Sequence, residues 1–329
     1  MANFNDIIGQ EKVKKHLLDG IKTDSISHAY IINGETGSGR RLLASALTKT
    51  LLCENRTELG DACGHCKSCL QVESNNHPDV RYLTHDKVSI GVDDIREQLV
   101  NDISIKPYSS AHKIYIVPDA DKMTEQAQNA LLKTIEEPPE YAVIILITDN
   151  AKNLLETVQS RCVILNTKPL DQEIITEYLI KNLQMEPEQA QIAAGFCQGN
   201  VGKAIDFASS PDFFDMKEDT LRLLKNLDNM ELPEIMAVIK ELSQNKGKIT
   251  DYLDLMLLWY RDVLMFKVTK DANILLYRNE YKAISQQATA RNYEDIENII
   301  KAIDKAKVRL NANVNFDTAI ELLILTIKD

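Results

Sequence analysis

Eight residues, Gly34-Glu35-Thr36-Gly37-Ser38-Gly39-Arg40-Arg41, constrain the fold of this chain more than any other stretch. They follow a short apolar run, Ala29 to Asn33, and precede a helical run, Leu42 to Leu47. A strand, a glycine-rich turn and a helix start, in that order, aim the free N–H groups of the helix at an anion. The working form of such a phosphate-binding loop reads G-x-x-x-x-G-K-[ST]. Here the glycines keep the spacing, but Arg40 replaces the lysine and Arg41 replaces the hydroxyl that would hold Mg²⁺. The stretch predicts an α/β fold and leaves open whether the loop is a nucleotide site or the remains of one.

The rest of the chain limits what such a domain could be part of. Its 329 residues suffice for two or three domains. There are 38 Lys+Arg against 49 Asp+Glu, a net charge of −11, so any contact with nucleic acid is local or shared with partners. No apolar stretch approaches the roughly 18 residues of a membrane-crossing helix, and no signal-peptide pattern opens the chain; the expectation is a cytoplasmic protein without a membrane partner.

Four of the six cysteines are grouped, as Cys53-x9-Cys63-Gly-His-Cys66-Lys-Ser-Cys69. In a reducing compartment this grouping favours metal over disulfide. Each C-x2-C step turns two sulfurs toward one ion, and four thiolates close a tetrahedral shell with no open position for catalysis. Structural zinc on Cys53, Cys63, Cys66 and Cys69 is expected; the alternative is four reduced, unliganded thiols. Cys162 and Cys197 stand alone and are read as small core side chains.

Strands and helices alternate through the first half. Strands are expected at 29–33, 80–84, 113–117, 142–147 and 162–165. Helices are expected after Phe4 to residue 22, from the glycine loop to about 52, through Ile95, Leu99 and Ile103 with Asp93 or Asp94 as cap, and over 125–137 behind a Thr124 cap. Ala142-Val-Ile-Ile-Leu-Ile147 is apolar on both faces, as in a parallel sheet covered on both sides. Residues 1–167 therefore read as an α/β domain with a mainly parallel five-stranded sheet. Beyond Pro169 only helices are expected: a compact set at 168–209, then segments near 215–228, 232–245, 249–268, 279–288, 292–310 and 315–327. The stripes Ile296, Ile299, Ile303, Ala306, Leu310 and Phe316, Ala319, Ile320, Leu323, Ile327 read as a bundle core.

A hydrolysing enzyme of this class holds Mg²⁺ with the loop hydroxyl and with an aspartate at the end of a later strand, and an adjacent acid orients water. That strand is Ile114-Tyr-Ile-Val117, followed by Pro118-Asp119-Ala120-Asp121. Pro118 falls at the magnesium position and offers no ligand. Asp119 falls at the position of the water-orienting acid and is one methylene short. Both metal positions are thus lost, at Arg41 and Pro118.

The glycine loop, the cysteine group, Lys113 to Met123, Asn129-Ala-Leu-Leu-Lys-Thr-Ile-Glu-Glu-Pro-Pro139 and Ser160-Arg161-Cys162 occur in an order that resembles the AAA+ clamp-loader family. The motifs cover residues 4–167; beyond them the resemblance rests on domain order and helical content. It implies an AAA+ P-loop domain at 1–167 with a zinc module at 53–69, a helical lid at 168–209 and an all-α collar for oligomerisation at 210–329. It implies work in DNA replication beside gamma, tau and delta clamp-loader subunits, on primed DNA within the assembled complex, with the sliding clamp met indirectly. The family's gamma and tau subunits keep intact loop residues and a sensor arginine where this chain has Gly202. The resemblance therefore implies a degenerate loop at Gly34, Gly37, Gly39, Arg40, Arg41 and Asp119, with nucleotide bound weakly or not at all and no ATP hydrolysis. The intact Ser160-Arg161 implies an arginine acting in trans on a neighbour's ATP site; the bland reading is an arginine that caps a strand end or pairs with an acid. The other reading of the family likeness is an active gamma- or tau-like ATPase.

Overall fold

A computed structural model describes residues 3–85, 87–312 and 314–328. The chain forms two compact units, one from the residues up to 174 with 199–202, the other from 175–198 and from 203 onward.

In the first unit, α1 (Glu11–Lys22), β1 (Ala29–Asn33), α2 (Arg40–Leu52), α3 (Lys67–Glu73), β2 (Val80–Tyr82), α4 (Val92–Ile95), β3 (Lys113–Val117), α5 (Glu125–Glu136), β4 (Ala142–Thr148), α6 (Glu156–Gln159) and β5 (Val163–Asn166) follow in order. The five strands pair in the order β2-β3-β4-β1-β5, and every pairing is parallel. Ile31 lies opposite Leu146 on one side and Ile164 on the other.

Side chains of a strand alternate between faces, so the sheet carries two cores. Tyr30, Ile32, Ile114, Ile116, Val143 and Ile145 meet Val13, Leu17, Leu43 and Leu47 from α1 and α2. Ile31, Tyr115, Val117, Ile144 and Leu146 meet Leu99, Ala127, Leu131 and Val158 on the opposite side. Cover on both faces is why β4 is apolar from Ala142 to Ile147. The chain reverses its direction of strand addition at β1, which sits between β4 and β5. At such a point the loops beyond the strand ends diverge and open a crevice. The glycine turn between β1 and α2 lies there.

Some local details depart from expectation. The helix through Ile95 is a single α-turn, Val92–Ile95, continued by a wider π-type turn over Arg96–Val100. Its cap is Gly91, and Asp94 reaches back to accept the Gly91 N–H at 2.8 Å. β2 ends at Tyr82 rather than 84, and β5 runs one residue later than expected. α3 forms inside the cysteine segment, capped by the Cys66 sulfur, which accepts the Cys69 N–H. Thr124 does cap α5, accepting the Ala127 N–H at 3.2 Å, and Pro138-Pro139 follow its end.

The second unit is helical. It takes α7 (Gln172–Leu183) from residue 175, α8 (Pro187–Phe196), α9 (Val201–Ala208) from residue 203, then α10 (Pro211–Asn226), α11 (Leu232–Gln244), α12 (Ile249–Thr269), α13 (Tyr281–Ala290), α14 (Tyr293–Asn311) and α15 (Phe316–Lys328). α10 begins about four residues before its expected start. One core runs through these helices, with Trp259 at its centre; its indole N–H donates to Gln287 Oε1 at 2.9 Å, and Gln287 passes the chain on to Leu224 O at 2.8 Å. Phe196, Phe207 and Phe213 pack ring to ring at 4.5–5.1 Å. The stripes on α14 and α15 are buried as a bundle core requires, except that Leu310 and Phe316 sit at its margin. No helix of the described residues is long and apolar enough to cross a membrane.

Candidate functional site

The glycine turn is closed by the chain's own groups. Asn200 Nδ2 donates to Thr36 O at 2.8 Å, and Gly202 N–H donates to Gly37 O at 2.9 Å. Gly37 has φ +90°, and a Cβ on it would lie 2.3 Å from Asn200 Oδ1; a Cβ on Gly202 would lie 2.6 Å from Gly37 Cα. Backbone meets backbone here, so position 202 has no room for any side chain, least of all an arginine. On the other flank Ser38 Oγ lies 2.8 Å from Thr167 Oγ1, which donates to Asn33 O at 3.1 Å. The segments after β1 and β5 are thereby laced together.

Both arginines of the loop have partners within the unit. Arg40 is buried and donates to Thr36 Oγ1 at 3.0 Å. Burial lowers its pKa, against the pull of Asp149, Asp121 and Asp119. Arg41 is exposed and lies 3.5 Å from Asp119 Oδ1, while Lys122 holds the other oxygen of that carboxylate at 3.3 Å. Asp119 follows Pro118 in a left-handed turn, φ +52°. The acid beyond Pro118 is thus engaged by two cations. Asp121 accepts at 3.2 Å from Oγ1 of Thr148, the last residue of β4. Gly34, Gly37, Gly39, Arg40, Arg41 and Asp119 do come together at the crevice.

Ser160 and Arg161 lie elsewhere on the same unit, at the turn from α6 to β5. Arg161 NH1 donates to Thr157 O at 2.9 Å and reaches Ser160 Oγ at 3.3 Å. Its NH2 lies 2.7 Å from Glu136 Oε1, at the last residue of α5. From the sequence alone Arg161 has no named acidic partner; Glu136 stands inside the Asn129–Pro139 motif, and an acid at a helix C-terminus is the signal that marks it.

The cysteine group assembles. The sulfurs of Cys53, Cys63, Cys66 and Cys69 lie within 4.8 Å of one another, with Cys53–Cys66 at 4.0 Å and Cys63–Cys69 at 3.9 Å. Tetrahedral zinc with Zn–S near 2.3 Å sets sulfurs about 3.8 Å apart, so the donor set fits. The N–H groups of Cys63, Cys66 and Cys69 point at Cys53, Cys63 and Cys66 sulfurs at 3.3–3.4 Å, which suits thiolates. The Cys63 thiol is drawn down to about 6: burial opposes this, but the N–H groups of His65 and Cys66 and the neighbouring thiols prevail. Burial and the Cys66 sulfur push Cys69 the other way. Four sulfurs this close cannot all ionise without a cation among them. His65 bonds its own loop at Cys63 O and is exposed.

Buried Asp61 anchors this module. It accepts Thr50 Oγ1 at 3.2 Å, the Ala62 N–H at 2.7 Å and the Asn5 N–H at 3.3 Å, and Asn3 Nδ2 donates to Ala62 O at 3.1 Å. Arg56 closes the end of α2 by donating to Thr50 O and Leu51 O.

Fold and site together define a P-loop-type α/β module whose loop is engaged by its own side chains, joined in sequence to a helical unit. A family model described as DNA polymerase III, delta subunit, matches residues 9–171. The Bacillus subtilis (strain 168) protein DNA polymerase III subunit delta' is 32% identical, covering 97% of this chain and 96% of that protein. DNA polymerase III subunit tau of the same organism is 26% identical over 96% of this chain and 60% of its own length. Among solved structures, a DNA polymerase III gamma subunit-related protein from Thermotoga maritima matches with a TM-score of 0.48 and 21% identity, over 95% of this chain and 98% of that one. The chain belongs to the family of DNA polymerase III clamp-loader delta' subunits. The expected α/β domain with a parallel five-stranded sheet is the one found.

Proposed function

We propose that this chain is a non-hydrolysing subunit of a DNA polymerase III clamp loader, which scaffolds the complex and supplies Arg161 in trans to a neighbouring ATPase subunit. One observation carries the reading: Asp119, the acid beyond Pro118, is paired with Arg41 and Lys122, while Arg161 stands exposed on another part of the unit. A site of that kind offers no oxygen ligand at either magnesium position. An arginine facing a neighbour's triphosphate stabilises charge on the phosphoryl group in flight.

In this reading the partners are gamma or tau and delta subunits. The assembled complex opens the sliding clamp and places it on primed DNA in the cytoplasm. Zinc on Cys53, Cys63, Cys66 and Cys69 holds the module at 53–69 and takes no part in chemistry. Residues 1–167 serve as the AAA+ domain, 168–209 as a lid and 210–329 as the collar through which subunits join. Exposed Leu232, Met236, Tyr281 and Val308 on the helical unit support a shared collar. The second reading, an active gamma- or tau-like ATPase, draws on the tau likeness over 96% of this chain.

The test is ATP turnover. In a loader reassembled with gamma or tau and delta, Arg161→Ala is expected to lower DNA-stimulated turnover several-fold while assembly is kept. The total falls by less than a lone site would, because only the neighbouring site loses its cation. Unchanged turnover sinks the trans role, and sustained Mg²⁺-dependent turnover by the isolated chain favours the second reading.

A further inference from the structure

Arg161 is held from two directions. α6 supplies Thr157 O and the turn after it Ser160 Oγ to one guanidinium nitrogen, and the end of α5 supplies Glu136 Oε1, at 2.7 Å, to the other. Glu136 and Arg161 meet from 25 residues apart in the chain, so the guanidinium's position is set by how α5 and α6 pack. Leu155 N–H donates to Gln128 Oε1 at 2.7 Å and Gln128 Nε2 to Asn153 O at 3.4 Å, which fastens α5 to the segment leading into α6.

Glu136 is costly where it stands. It ends α5, where the carbonyls of the last turn face outward and the helix dipole is negative, and Glu137 follows it. A carboxylate there is repelled by its own helix unless a cation sits beside it. Arg161 is that cation. The Arg161 and Glu136 side chains are 38% and 45% exposed, and an ion pair in that setting is worth about 0–1 kcal/mol. The contact is therefore strong enough in geometry to select one rotamer and weak enough in energy for a more highly charged polyphosphate to compete for the same nitrogens.

We propose that Glu136 is a positioning residue for Arg161: it holds the guanidinium preorganised at the surface, so that the neighbour's triphosphate meets a cation already aimed rather than one of many rotamers. A long flexible side chain fixed beforehand loses less entropy when it engages. The proposal rests on the reading of Arg161 as acting in trans.

The experiment uses the reassembled loader with ATP and primed DNA, and compares Glu136→Ala, Glu136→Gln, Arg161→Ala and the Arg161→Ala/Glu136→Ala pair. Glu136→Ala is expected to lower kcat roughly two- to threefold, less than Arg161→Ala does, with KM for ATP unchanged, since ground-state binding belongs to the neighbour. Glu136→Gln keeps an acceptor oxygen and is expected to restore most of the rate. In the Arg161→Ala background Glu136→Ala adds nothing, because residues acting as one unit are not additive. If Arg161→Ala leaves the rate unchanged, the trans reading falls and this proposal with it. If Arg161→Ala lowers the rate and Glu136→Ala does not, the trans reading stands and the positioning role is overturned. A higher rate in Glu136→Ala, or a loss that adds to that of Arg161→Ala, overturns it as well.

Discussion

Cys69→Ser is expected to abolish tight zinc binding and to loosen residues 53–74 while the sheet stays folded. Structural zinc is worth about 10–16 kcal/mol to peptides that are unfolded without it. The loss here is smaller, on the order of several kcal/mol, because Asp61 and Asn3 already hold part of the loop. Cys69 is wholly buried beside Cys63, and a serine hydroxyl there is a far poorer zinc ligand than a thiolate. Metal analysis should give about one zinc per wild-type chain and none in the variant. Hydrogen exchange should speed up over α3 and the segment before it, and a strong chelator should reproduce the effect on the wild type. Zinc retained by the variant, or protection that the chelator leaves unchanged, would overturn the assignment.

The strands and helices were legible because their burial is periodic or continuous. β4 is apolar from Ala142 to Ile147 between two covered faces, and Ile296, Ile299 and Ile303 repeat at helical spacing. The cysteine group was legible because its four thiols lie close in the chain. The wide turn at Arg96–Val100 was not, since Ile95, Leu99 and Ile103 are spaced by four and suit either geometry. Nor were the polar contacts that decide the loop's state. Asn200 reaches Thr36 across 164 residues, and Glu136 reaches Arg161 from another helix. Nothing local in a sequence records which acid a given arginine will meet; the sheet order and the packing of α5 against α6 decide it.

Lys113→Met is expected to destabilise the first unit by about 3–5 kcal/mol, which for a unit of this size lowers its melting temperature by roughly 10 °C. Lys113 opens β3 and is 3% exposed. Its ammonium lies 2.7 Å from Asp102 Oδ2 and donates to Asp102 O and Ile105 O, both at 3.1 Å. Methionine fills the space but donates nothing, so two carbonyls and a half-buried carboxylate lose their partner at once. Among the described residues, the Tyr115 hydroxyl, at 2.8 Å, and Arg81, at 3.7 Å, still face Asp102. The pH dependence separates this cause from simple repacking. Burial pushes the Asp102 carboxyl up, but hydrogen bonds from Lys113 and Tyr115 and the charges of Lys113 and Arg81 bring it below its ordinary value. A depressed carboxyl contributes stability above the unfolded value near 3.9 and loses it as pH falls through the folded value beneath that. Without Lys113 the balance turns toward burial, and the carboxylate then costs stability at neutral pH and not in acid. The gap between wild type and variant, read by thermal unfolding of the full chain, should be widest near neutrality and narrow below about pH 4. A gap that stays constant through that range would show that lost packing, and not the buried charge, is what Lys113 supplies.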